Sequence, residues 1–246
     1  MADGSSSAPA HVGTAGWTIP VAMRERFGDG ASALERYATR FDIAEINSSF
    51  HRPHRRSTYE RWAASVPAGF RFAVKLPKVI THQRRLVDCG EPLARFAEEV
   101  AGLGNNLGPL LIQLPPSFAF DGDLVDGFLG QVRALLGGPM VCEPRHPSWF
   151  AEEVSTWLAR REVARVAADP APVGEAATPG GWNGLVYSRL HGSPRMYWSG
   201  YDAEALDGHA RSIGEWRQAG IESWTIYDNT AGGQAAGDAL ALLERL

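Results

Sequence analysis

The sequence predicts an α/β fold, a single (β/α)8 TIM barrel with a closed parallel sheet. Three observations predict it. Apolar runs of strand length alternate with helix-periodic segments along the chain, and alternating βα units imply a parallel sheet. About eight such units fit into roughly 236 residues, the size of a closed barrel. The competing open, doubly wound sheet wants a Gly-rich first turn, and Gly13–Gly16 is followed by Trp17 without G-x-G-x-x-G spacing. Residues 1–10, M-A-D-G-S-S-S-A-P-A, read as a disordered tail. Residues 11–246 read as one barrel domain.

Each element follows from local signals. His11–Ala15 is a strand leading into Gly16-Trp17. Ala31–Thr39 is a helix with Leu34 and Tyr37 apolar. Phe41–Ile46 is a strand ending in Glu45-Ile46-Asn47. Ser57–Ser65 is a helix that Ser57 or Thr58 can cap. Phe70–Leu76 is a strand closed by Pro77. Glu91–Leu103 carries Leu93, Phe96, Val100 and Leu103 at helical spacing. Pro109–Leu114 is an apolar strand stopped by Pro115-Pro116. Asp123–Leu136 is a helix. Pro139–Cys142 is a strand, and a helix runs from Ser148 to Arg161. Val163–Ala168 is a strand, and a Gly/Pro/Ala-rich loop runs from Ala171 to Gly181. Leu185–His191 is a strand, Ala203–Ala219 a helix, Glu222–Tyr227 a strand and Gly233–Leu246 the last helix.

Composition narrows the function classes. The 246 residues carry a formal net charge of -4, so no global basic field draws the chain to nucleic acid. Cys89 and Cys142 sit in dissimilar contexts and suggest neither a disulfide framework nor a cysteine zinc site. The first ten residues lack the basic and apolar regions of a secretion signal. No apolar run is long enough to span a membrane. The expected location is the cytoplasm.

In a barrel, chemistry gathers at the strand C-terminal ends, and alternation sends every second side chain inward. Applied strand by strand, this filter places Glu45 and Asn47, Lys75, Gln113, Glu143, Asp169, then Arg189 and His191, on the pocket side. Asp228 and Asn229 end the last strand. Arg145 and His146 follow Glu143 at the mouth. One charged strand end is ordinarily a cap or a solvated group. A ring of them is a site, because a desolvated carboxylate needs a partner.

Three loops add to this rim. His51–Arg56 and Thr81–Arg85, which includes His82, are basic and suit an electrostatic funnel for an anion. Asp228–Gly233 leads into a helix start, where barrels frequently bind phosphate.

The chain resembles the YecE-like proteins, the DUF72 family of TIM-barrel proteins. The resemblance rests on Gly13–Trp17, Glu45–Phe50, Gly69–Lys75, Ile80–His82, Gly108–Phe118, Glu143–Phe150, Arg189–Gly192 and Tyr227–Asn229. These stretches span nearly the whole chain in the family's order. His51 departs from the family's usual Tyr, and Arg52–Arg56 differs from its usual loop. The resemblance implies the fold and no particular reaction.

The residues themselves predict an enzyme of hydrolase, lyase or isomerase type acting on a small anionic or phosphate-bearing substrate. Lys75, Arg189 and His82 would hold the anion. Glu143 and His191 would serve as general base and acid, with Glu45 beside them. Asn47, Gln113, Arg145, His146, Asp169, Asp228 and Asn229 would bind substrate. A desolvated Lys75 can also be nucleophilic. No cofactor is predicted, and a single divalent metal is left open. Two alternatives stand: a metal-dependent, phosphodiesterase-like barrel acting on nucleic acid, and a non-catalytic binding protein.

Overall fold

The structure, a computed structural model, describes residues 7–246. The tail expected over residues 1–10 lies partly outside the described residues, and Ala10 already opens the first strand. The strands are β1 (Ala10–Thr14), β2 (Ile43–Ile46), β3 (Arg71–Lys75), β4 (Leu107–Gln113), β5 (Met140–Glu143), β6 (Val163–Arg165), β7 (Ala167–Asp169), β8 (Gly180–Gly181), β9 (Leu185–Leu190) and β10 (Glu222–Tyr227). The helices are α1 (Ala33–Tyr37), α2 (Arg56–Ala64), α3 (Gly90–Val100), α4 (Gly122–Leu136), α5 (Glu152–Ala159), α6 (Ala203–Gln218) and α7 (Ala235–Leu243). No helix among the described residues is long and apolar enough to cross a membrane.

Strand pairing gives two sheets where the sequence led us to expect one ring. One sheet, β1-β10-β9-β7, is parallel throughout. The other, β2-β3-β4-β5-β6-β8, is parallel except that β8 runs antiparallel to β6. The sheets abut at two seams. At the first, Ala15 and Glu45 form a single bridge, and the Gly16 amide donates to the Glu45 carbonyl at 2.8 Å. Gly13 permits this approach, since a Cβ there would lie 2.4 Å from the Ile43 carbonyl oxygen. At the second, only Val166 separates β6 from β7, and its amide donates to the Cys142 carbonyl at 2.9 Å.

Some elements differ from expectation for local reasons. The helix expected from Ser148 to Arg161 is broken at Ala151, whose ψ of 147° is extended. Before the break, Pro147–Phe150 forms a short turn that buries Trp149, and the indole donates to the Phe118 carbonyl at 2.9 Å. α2 starts at Arg56 with no side-chain cap, so Ser57 and Thr58 lie inside it. No α-helix separates β7 from β9. The Gly/Pro-rich loop there forms only a short turn at Gly174–Ala177 and the two-residue β8. Asp121 and Asp202 cap α4 and α6 by accepting from the Leu124 and Ala205 amides.

Strand alternation divides the apolar side chains into two layers. Phe72, Val74, Leu110 and Ile112 pack outward with helix residues such as Tyr59, Phe96 and Leu240. Ile43, Ala73, Leu111, Val141, Ala164, Tyr187, Trp224 and Ile226 form a separate inner cluster. Polar residues continue this inner face at both ends. At the N-terminal ends of the strands are His11, Arg71 and Glu222. At the C-terminal ends are Glu45, Lys75, Gln113, Glu143, Arg189, His191 and Asp228.

Candidate functional site

Arg189, 1% exposed, is the hub of the C-terminal end. Its Nε and Nη2 donate to Glu45 Oε2 and Oε1 at 3.0 and 2.8 Å. Nη2 also donates to Asp228 Oδ2 at 2.6 Å. Nη1 donates to Glu143 Oε2 at 2.7 Å and to His191 Nε2 at 2.9 Å. A guanidinium has five N–H donors, and these bonds use them all. Arg189 therefore has no donor left for an incoming anion. The anion-holding role expected for it is corrected here: it binds the protein's own carboxylates. Glu45 is equally committed, since Oε2 also accepts from the Tyr187 hydroxyl at 2.9 Å.

The expected acid–base pair also changes. Burial alone would raise the Glu143 carboxyl, but Arg189, His191, Arg145 and Lys75 hold it well below the usual carboxylate range. Arg145 Nη2 donates to its other oxygen at 3.0 Å. His191 offers its Nε2 lone pair to Arg189, so its proton sits on Nδ1, toward the Asp169 carbonyl at 3.3 Å. Burial, then the Arg189 charge, pushes His191 down to about 4. Neither group is poised to exchange protons near neutrality.

Two other residues are. Burial pushes the Lys75 ammonium down to about 8, aided by Arg189 against the nearby carboxylates. Burial pushes the Asp228 carboxyl up to about 6, overcoming Arg189. Lys75 Nζ lies 4.1 Å from the centroid of the Phe50 ring. Among the described residues it has no carboxylate at ion-pair distance and no hydrogen-bond acceptor. Asp228 uses only Oδ2, so Oδ1 has no partner among them. His82 meets the Phe50 ring edge-on at 4.9 Å and hydrogen-bonds to Thr81 Oγ1. Burial, then the charges of Lys75, Lys78 and Arg145, lower it. Lys75 and Arg145 thus bring positive charge to the His82 imidazole while the carboxylates behind them face Arg189. A cavity of about 100 Å³ adjoins this point, lined by Glu143, Arg145, His191 and Pro170.

Several expected residues lie elsewhere. Asp169 is on the outer face, because Ala167 and Asp169 pair with outward Ser188 and Leu190. Its carboxylate accepts from the Tyr201 hydroxyl at 2.6 Å. Asn229 is also outward. It donates to the Ser199 carbonyl and to Asp238 in the first turn of α7. That helix begins with no side-chain cap, and Asp238 in its first turn also accepts from the Tyr201 amide. His146 caps the turn after β5, its Nδ1 accepting from the Ser148 amide at 3.2 Å. Gln113 ends β4 on the inner face, beside Glu143. Asn47 Oδ1 is buried with no partner among the described residues. The basic loops are partly neutralised or tied down. Arg56 pairs with Glu60, and Arg85 donates to Ser117.

Sequence reasoning missed Tyr187, Phe50 and Tyr197 as members of the site. Tyr187 carried a signal, two residues before Arg189 on one strand face. Phe50 is set by the turn Ser48–Phe50, whose Ser49 hydroxyl donates to the Lys75 carbonyl at 2.6 Å. Tyr197, which lies beside Arg145 and stands edge-on to His191, sits in a loop at φ 68° and carried none. Among the described residues, no group of three or more His, Cys, Asp or Glu is placed to hold a metal ion. Glu45, Glu143 and Asp228 are turned to Arg189 instead.

The chain is an α/β protein with mainly parallel sheets and a TIM-barrel-like fold. Its family is more specific. The model described as "Protein of unknown function DUF72" matches residues 11–246, and the chain belongs to that family. UPF0759 protein YecE of Escherichia coli (strain K12) is 30% identical over 175 residues, 69% of this chain. That match spans 62% of YecE's length. UPF0759 protein YunF of Bacillus subtilis (strain 168) is 23% identical over 96% of this chain and 94% of its own. A DUF72 family protein from Enterococcus faecalis V583 superposes with a TM-score of 0.80 at 19% identity, covering 96% of this chain and 95% of that one. A sugar phosphate isomerase/epimerase from Parabacteroides distasonis shares the fold more loosely, with a TM-score of 0.54 at 12% identity over 98% and 97% of the two chains.

Proposed function

We propose that the two sheets form one closed (β/α)8 barrel whose C-terminal rim binds a small phosphate- or carboxylate-bearing substrate and transfers protons on it, as a lyase or isomerase does. One observation carries this reading. Lys75, His82 and Arg145 converge, and the buried Lys75 has no carboxylate at ion-pair distance among the described residues. Buried positive charge without a partner is costly, and a substrate anion would supply the partner. Asp228 and Lys75 then form the proton-exchanging pair, with ordinary values pushed toward each other and toward neutrality. Arg189 and Glu45 are the frame that fixes Asp228 and Glu143.

Thermal unfolding with inorganic phosphate, sulfate and simple carboxylates tests the reading. The anions should raise Tm in proportion to ln(1 + [L]/Kd). The paired variant His82→Asn, Arg145→Gln should lose that response. Stabilisation of both proteins alike would place the anion elsewhere and end this reading.

A further inference from the structure

We propose that Lys75 is a covalent nucleophile, whose amine condenses with the carbonyl carbon of an anionic oxo compound, an oxo acid or a phosphorylated aldehyde or ketone, to form an imine. The inference rests on the reading of this rim as an anion site and names its substrate class.

The first argument is geometric. Nζ is held on a rigid strand, since the Lys75 carbonyl accepts from Ser49 and the Leu76 amide donates to Leu111. One side of the amine lies on Phe50 at 4.1 Å. Every neighbouring carboxylate oxygen is engaged by an arginine or a tyrosine except Asp228 Oδ1. An amine kept for an ion pair would have one. This one stays unpartnered in a side chain only 6% exposed, the setting in which a lysine becomes nucleophilic. Its lowered titration leaves on the order of a hundredfold more free amine at neutral pH than an ordinary lysine has.

The second argument is compositional. Of 24 lysines and arginines in the chain, 22 are arginine, and the lysines are Lys75 and Lys78. This sequence writes its cations as arginine almost throughout, Arg145 and Arg189 at the site included. Arginine binds anions as well as lysine or better and stays protonated. What lysine adds at position 75 is an amine that can lose its proton and attack.

The step balances within the site. The Nζ lone pair attacks the carbonyl carbon and forms the C–N bond. The carbonyl π pair moves to oxygen, which takes the proton of the Asp228 carboxyl. The nitrogen gives a proton back to Asp228. That carboxyl then protonates the hydroxyl, which leaves as water, and an iminium remains on Lys75. Amine and carbonyl become imine and water with no change of oxidation state. Arg145 and His82 hold the anionic group of the substrate meanwhile.

Borohydride trapping tests the proposal. The intact protein is incubated with pyridoxal 5′-phosphate, pyruvate or dihydroxyacetone phosphate, and with acetone as the neutral carbonyl. It is then reduced, and adducts are located by peptide mapping. The expected result is a reduced adduct on Lys75 with the anionic carbonyls, and little with acetone. Exposed Lys78 is an internal control for unselective amine chemistry. Lys75→Arg and Lys75→Met should abolish the adduct. Inorganic phosphate should stabilise the wild-type protein whether or not an adduct forms, which keeps this test separate from the anion reading. Labelling of Lys78 in preference to Lys75, or equal trapping of acetone, overturns the proposal. So does phosphate stabilisation of the wild-type protein with no adduct from any probe.

Discussion

The inner cluster of the protein ends in charge at both poles, and the two poles are built differently. At the N-terminal pole, Arg71 pairs with Glu222, His11 pairs with Asp42, and Trp224 donates to Glu222. Arg71 and Glu222 are 31% and 30% exposed, so water shares the work of solvating them. At the C-terminal pole, Arg189, Glu45 and Glu143 are 1%, 0% and 2% exposed, and only protein groups solvate them. A half-solvated pair caps a core at little cost. A buried network with two arginines, three carboxylates and an unpartnered lysine costs much more. The proposed function puts the chemistry at the sealed pole, where the cost of burial is greatest.

Three measurements can break or sharpen that contrast. The largest effect is expected at Arg189. Arg189→Met strands Glu45, Glu143 and Asp228 without their shared cation, and loss of one partner of a buried pair costs about 3–5 kcal/mol. Urea unfolding should show at least that loss, and a change under 1 kcal/mol would mean the sealed pole is no more demanding than the open one.

Asp228 comes next. Its folded carboxyl titrates near 6 against an ordinary 3.8, so the folded state holds this proton more tightly than the unfolded chain. That contribution is complete below pH 3.8 and is lost as pH rises through about 6, on the order of 3 kcal/mol in all. Asp228→Asn should remove this downward slope from unfolding free energies measured across that window. Identical slopes in the two proteins would remove Asp228 from the titrating pair.

The smallest effect belongs to the open pole. Arg71→Gln should cost no more than about 1 kcal/mol, shrinking as salt is added. Phosphate stabilisation should be unchanged. Loss of phosphate binding in this variant would show that the two poles are not independent.

How far the sequence reached differs between fold and site. Strand-to-helix alternation was readable from the periods of Leu93, Phe96 and Val100 or of Pro109–Leu114. The gathering of Glu45, Lys75, Glu143, Arg189, His191 and Asp228 was readable because alternation needs only parity. Parity failed where the phase of a strand was misjudged. With Ala164 and Val166 inside, Asp169 must face out. What a one-dimensional pattern cannot supply is the distance between strands. Arg189 read as a free cation because nothing in its own strand reveals that three other strands deliver carboxylates to four of its five donors. Tyr197 was invisible for the same reason, being brought to Arg145 by a loop.

Glu45 has a double position with a dynamic consequence. Its carboxylate grips Arg189 by two bonds, and its backbone makes the single bridge that joins β1 to β2. A separation of that seam and a loosening of the charged network therefore draw on the same residue. The Gly16 amide, bonded to the Glu45 carbonyl at 2.8 Å, is a reporter for both. Its rate of hydrogen exchange counts how often the molecule opens at the seam that this charged network adjoins, and a ligand that settles on Lys75 and Arg145 should slow that clock.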